Sequence, residues 1–187
     1  LNLFADKYTD RIIHIFGHTS EVPTTWFQSL TPLYIILLAP LFSKLWIQLA
    51  KRSKEPSTPT KFMLGLWLLA AGYAIILTGA ILLGPGVKVG MYFLALTYLF
   101  HTLGELCLSP VGLSMVTKLA PVKFVSMLMG VWFLSNAAAN KVAGLYSSLF
   151  GKISNVEFFA WLVVAPMLAS FALAAMIKPL KKWMHNA

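Results

Sequence analysis

Acidic residues are scarce in this chain. Six Asp and Glu stand against fifteen Lys and Arg, and charged residues of both signs make up 11% of the 187 positions. A soluble domain carries roughly 25% charge to keep a watery surface, so the balance excludes that class. Cysteine is scarcer still. Cys107 is the only one, which excludes an intrachain disulfide and says nothing about redox compartment. Apolar and polar residues do not alternate with period two, which argues against a transmembrane β-barrel. The chain shows no metal-ligand cluster, no nucleophile paired with a base and no phosphate loop. Metal, cofactor and enzyme readings are therefore left without residues to carry them.

Apolar residues are plentiful. They make up 58% of the chain, and the mean hydropathy is +0.76. Charged and Pro/Gly-rich stretches separate five long apolar segments: Trp26–Leu49, Phe62–Leu83, Met91–Val116, Phe124–Phe150 and Phe158–Ile177. Each has the roughly 20 residues an α-helix needs to cross about 30 Å of hydrocarbon. The expectation is an all-α, multi-pass membrane protein.

A net charge of +9 would suggest nucleic acid as a partner for a soluble protein. Here the charges report topology, and no nucleic-acid partner is expected. Lys51, Arg52, Lys54, Lys61, Lys118, Lys123, Lys178, Lys181 and Lys182 fall on one set of loops, and Lys7, Arg11, Lys88 and Lys152 on the other. By the positive-inside rule the first set is cytoplasmic. Residues 1–25 are then an extracytoplasmic loop, and 178–187 a cytoplasmic tail. The opening LNLF, followed at once by ADKYTDR, reads as the last turn of a preceding span. The chain is thus expected to be the C-terminal part of a longer protein, with the N-terminal half as its missing partner.

Polar residues are unevenly shared among the spans. Phe62–Leu83 and Phe158–Ile177 carry no Asp, Glu, Lys, Arg or His and are expected to face lipid all round. The first span carries Gln28, Ser29 and Thr31; the third carries His101, Thr102, Glu105 and Ser109; the fourth carries Ser135, Asn136, Asn140 and Lys141. That division suits a bundle in which three helices line a cavity and two form scaffold.

Glu105 lies near the middle of its span, where a charge costs about 2.5–3.5 kcal/mol even on forgiving scales. Tyr98, His101 or Thr102, Glu105, Ser109 and Gly112 recur at three- and four-residue spacing and share one face. Pro110 removes a backbone hydrogen bond beside the carboxylate, and Gly104 and Gly112 permit close approach. Such a carboxylate can bind a cation, pair with a basic residue or hold a proton. The plain alternative is a structural Glu locked to a neighbour's donor. The functional reading is preferred because ionisable groups inside membranes mark pathways.

Other residues have plainer readings. His101 could share the Glu105 proton, but an uncharged histidine hydrogen-bonded within the bundle is preferred. Asn136 and Asn140 form a stripe with Phe133 and Gly144, among Ala137, Ala139 and Ala143, and read as interhelical packing. Lys141 should snorkel to the interface or meet a carboxylate, one from the missing half included. Trp26, Trp46, Tyr92 and Trp183 read as interface anchors, and the basic tail as an attraction to anionic lipid.

The stretch GELCLSPVGLSMVTKLAP, Gly104–Pro121, resembles the tenth-helix signature of the proton-dependent oligopeptide transporter (POT/PTR) family of the major facilitator superfamily. WFQSLTPLYIILLAP, Trp26–Pro40, resembles that family's eighth helix, and VWFLSNAAAN, Val131–Asn140, its eleventh. The resemblance implies the C-terminal bundle, helices eight to twelve, of a transporter with twelve or more helices. It implies proton-coupled symport of di- and tripeptides across the cytoplasmic membrane, with peptide, protons and the lipid bilayer as partners and no cofactor. It also implies that Glu105 contacts the peptide amino terminus and pairs with a lysine of the N-terminal half, with Ser109 one turn on. Trp132 and Phe133 are implied to shape side-chain pockets, Trp132 being the expected wall and Phe133 part of the Asn136/Asn140 stripe. The family motif containing Gln28 usually reads FQSLNP, and Thr31 replaces its asparagine here. Threonine keeps a hydroxyl but loses the amide's paired donors and acceptor. A non-transporting scaffold or receptor-like paralogue, or a facilitator for another small solute, is the alternative on the same fold.

Overall fold

The computed structural model describes residues 1–15, 18–83 and 87–183; the side chains of residues 15, 118, 119 and 178–183 lie outside the described set. Among the described residues, five helices are long and apolar enough to cross a membrane: α2 (Thr24–Lys51), α3 (Thr58–Leu82), α4 (Tyr92–Leu119), α5 (Val125–Ser147) and α6 (Asn155–Trp183). Each corresponds to one expected span. α3 starts four residues early, because Pro59 fits the first turn and Ser57 and Thr60 share a 2.8 Å hydrogen bond there. α6 runs six residues past Ile177 through its basic end. The helices also continue unbroken through Pro32, Pro40 and Pro110.

Residues 1–25 are more ordered than a plain loop. They form a short helix α1 (Asn2–Tyr8), a two-residue strand β1 (Thr9–Asp10) and a hairpin of β2 (Ile12–Ile15) and β3 (His18–Glu21). The hairpin pairs Ile12 with Glu21 and Ile15 with His18. β1 pairs in parallel with β4 (Val89–Gly90). Arg11 ties this end together, with ion pairs to Asp6 at 3.2 Å and Glu21 at 2.7 Å and a 2.8 Å hydrogen bond donated to the Val22 carbonyl. Phe4, Phe158, Phe159, Ile76 and Leu94 form the main buried cluster at the same end.

The expectation that residues 62–83 and 158–177 face lipid all round is corrected. α3 packs against both α4 and α6 and buries Gly65, Ala70, Gly72, Ile76, Gly79 and Ala80. α6 buries Phe158, Phe159, Pro166 and Ser170. Freedom from ionisable groups does not mean freedom from contacts, since small residues draw membrane helices together. Where α3 crosses α4, a Cβ on Gly65 would lie 2.9 Å from the Gly104 carbonyl oxygen, and one on Gly104 would lie 2.8 Å from that of Gly65. The two backbones therefore touch.

Lys61, expected in the loop between the first two spans, lies inside α3 instead: it is 8% exposed, ion-paired with Glu55 and held 4.6 Å from the ring centroid of Trp46. Trp46 therefore serves as a cation–π partner, which suits a desolvated ammonium. α2 buries Phe27 alone and α5 buries no residue. These two helices and one face of α4 are what the packed core leaves open.

Candidate functional site

The open face of α4 carries Glu105, Ser109 and Pro110, all exposed, while Thr102, Gly104, Leu106 and Cys107 are buried behind it. The buried threonines are satisfied within their own helix. Thr97 donates to the Phe93 carbonyl at 2.7 Å, and Thr102 to that of Tyr98 at 2.8 Å. Glu105 has neither a salt bridge nor a hydrogen bond among the described residues. A carboxylate inside an apolar span is costly without a partner. Ser109, one turn on, likewise makes no side-chain hydrogen bond among the described residues.

His101 turns away from that face. Its ring packs against α3, where a Cβ on Gly72 would lie 2.5 Å from its Cδ2 atom, and it meets the Tyr73 ring edge-to-face with centroids 4.4 Å apart. The bundle placement is as expected. The expected hydrogen bond is not, because Nε2 is buried without a partner among the described residues.

On α5 the two rings take different positions. Trp132 is half-buried, its indole lying over Gly112 of α4 and beside Phe62 of α3. Phe133 is 60% exposed. Asn136, Asn140 and Lys141 are also exposed, as are Ala137, Ala139 and Ala143. The expected packing stripe is thus not packed against these helices: the Asn136 amide donates to the carbonyl of Trp132, at 3.1 Å, and a Cβ on Gly144 would meet nothing within 4 Å. Among the described elements α5 packs chiefly on α4, which leaves this surface open. Between α5, α3 and α6 lies an apolar groove of about 780 Å³, lined by Leu1, Leu69, Tyr73, Ala139, Ala143 and Leu162 among others.

On α2, Gln28 is exposed and Thr31 half-buried; neither makes a side-chain hydrogen bond among the described residues. The Tyr34 hydroxyl donates to the Ala95 carbonyl at 3.4 Å and links α2 to α4. Lys44 is an exposed ammonium inside α2 that a count of loop charges passes over. Its signal is a lone cation inside an apolar run.

Open polar face, unpaired carboxylate and flanking rings describe a surface built to meet something else. Comparison with known proteins shows what resembles it. Residues 1–164 match the family model described as POT family. The peptide transporter YePEPT of Yersinia enterocolitica subsp. palearctica is 40% identical over 191 residues, covering 99% of this chain and 36% of that protein. A di-/tripeptide transporter of Lactococcus lactis subsp. cremoris is 37% identical over 171 residues, covering 91% of this chain and 34% of its own length. A crystal structure of the peptide transporter POT in complex with sulfate matches with a TM-score of 0.86 at 37% identity, over 97% of this chain and 36% of that one. A POT family transporter in complex with a thioalcohol conjugated peptide matches with a TM-score of 0.83 at 31% identity, over 94% of this chain and 35% of that one. The chain spans about a third of the length of the curated relatives it matches.

Proposed function

The chain belongs to the POT family, and from that premise we propose that it supplies the C-terminal transmembrane bundle of a proton-coupled symporter for di- and tripeptides. The observation that carries the reading is Glu105, mid-span, exposed on the face of α4 and without an ion pair among the described residues. In the full transporter this carboxylate takes the ammonium of the peptide, and between cycles a basic group from the N-terminal half. Ser109 adds a neutral hydrogen bond one turn away. The exposed ring of Phe133 offers apolar contact to peptide side chains. Thr31 offers a hydroxyl where the family motif has an amide, so α2 holds the peptide amino end more weakly. The unpartnered surfaces of α2 and α5 are then contact surfaces for the N-terminal half.

Uptake of labelled dialanine by the full-length protein tests this. Unlabelled di- and tripeptides should compete, and free amino acids or nitrate should not. Competition by an inorganic anion alone would favour another solute, and no uptake at all would favour a non-transporting scaffold.

The proposed orientation is that of a multi-pass protein of the cytoplasmic membrane with its C-terminus inside. Burial of Lys61 removes one charge from the larger set and leaves the asymmetry standing. In a Cys107→Ser background, Ser57→Cys should be shielded from a membrane-impermeant thiol reagent in intact cells, and Lys88→Cys should be labelled. Labelling at position 57 from outside would invert the orientation. The tail residues 184–187 and the loop residues 84–86 lie outside the described residues, so positions 57 and 88 are the better reporters.

A further inference from the structure

The open stripe of α4 ends abruptly at Gly112. This residue follows Glu105 by seven positions and Ser109 by three, which returns it to the same side of the helix. Yet Gly112 is buried, because the Trp132 indole covers it. A Cβ there would lie 2.3 Å from Cη2 and 2.9 Å from Cζ2 of Trp132, and 3.1 Å from Cζ of Phe62. The ring fills the space any side chain at 112 would need. At 1.5 Å rise per residue it crosses α4 about 4.5 Å from Ser109 and about 10.5 Å from Glu105, toward the α4–α5 turn.

The Trp132 carbonyl accepts hydrogen bonds from Ser135 Oγ at 2.7 Å and from Asn136 Nδ2 at 3.1 Å, so both polar side chains turn back on the α5 backbone and leave the ring to its contacts with α4. The indole further lines an apolar cavity of about 370 Å³ beside the α4–α5 turn, with Met115, Val116, Leu128, Val131 and Ser135. That cavity is room into which a displaced ring can move. Gly130 and Gly144 on α5 differ, since a Cβ at either would meet nothing within 4 Å.

We propose that Gly112 is a specificity-determining positioning residue. Its missing side chain seats the Trp132 indole across α4, and so sets the pocket wall that the family resemblance implies for Trp132 as a floor below Ser109. The floor limits how far a substrate reaches toward the α4–α5 turn, and bulky apolar side chains rest on it. This inference rests on the peptide-transport reading above.

Gly112→Ala, Trp132→Phe and the double variant, made in the full-length transporter, test it. In Gly112→Ala, KM for peptides with bulky apolar side chains should rise about tenfold, the scale of one lost apolar contact. Dialanine should change less than about twofold on the same scale, with kcat retained. The smaller phenyl ring fits beside the new methyl, so the double variant should return to the wild-type ranking. An equal loss for all peptides, or no rescue, overturns the proposal. If Gly112→Ala fails to reach the membrane, Trp132→Ala decides: a loss confined to bulky peptides supports the floor, and a uniform loss overturns it. Melting of the purified proteins separates the two readings. Should the wild type move no peptide, the transport reading falls, while recovery of Tm in the double variant still reports the seat.

Discussion

Glu105→Gln in the full-length transporter is expected to abolish proton-driven peptide uptake while the protein reaches the membrane in normal amounts. Glutamine keeps the shape of the side chain and removes its charge. Because Glu105 is exposed and bonds to no described residue, the bundle does not lean on it, and surface-type substitutions of this kind stay within about 0.5 kcal/mol of neutral. The effect falls on the ligand instead. Truncating one member of a buried charge pair costs about 2–5 kcal/mol, so uptake should drop by roughly thirtyfold or more. Ser109→Ala should be milder, since a neutral hydrogen bond contributes about 0.5–1.5 kcal/mol. Uptake of labelled dipeptide, normalised to immunoblotted protein, measures both. A Glu105→Gln protein working at the wild-type rate would remove Glu105 from the site.

Gly104→Leu is expected to have the largest structural effect. At this crossing the obstacle to a side chain is backbone, the Gly65 carbonyl oxygen 2.8 Å from where a Cβ would lie. A flexible side chain can swing aside, but here α3 and α4 must separate. α3 also packs on α6, so the displacement reaches three of the five long helices. Overpacking costs about 1–3 kcal/mol in well-packed interiors and sometimes more, and close backbone approach is much of what holds membrane helices together. In detergent, Gly104→Leu should lower the melting temperature by roughly 6 °C or more, or yield no monodisperse protein. Equal melting of Gly104→Leu and wild type would mean that the helices do not cross here.

The five spans were legible because apolar runs of this length have no other stable home. Their ends were less so: Thr58–Lys61 and the basic end of α6 are helical yet too polar to read as membrane. The hairpin at residues 12–21 escaped because strands of four residues are too short to show a period. The packing of α3 escaped for a different reason. Ionisable groups were weighed, whereas the contacts are made by Gly65, Gly72 and Gly79, a seven-residue recurrence that marks one helix face. At the site, spacing along α4 placed Glu105 and Ser109 on a common face, which the structure leaves open. It could not place His101, whose ring is drawn to the gap at Gly72. Nor could it pair Gly112 with Trp132, twenty residues on, because that contact depends on how α5 leans on α4.

Proton-coupled accumulation of a dipeptide by the purified full-length protein bears most closely on the role given to Glu105. Proteoliposomes are loaded with alkaline buffer, diluted into acidic medium containing labelled dialanine, and followed with and without a protonophore. Wild-type vesicles should accumulate peptide above the outside concentration and lose it when the protonophore is added, and Glu105→Gln vesicles should not accumulate it. Equal accumulation by the two proteins, or wild-type uptake indifferent to the pH gradient, would contradict a proton-coupled site at Glu105.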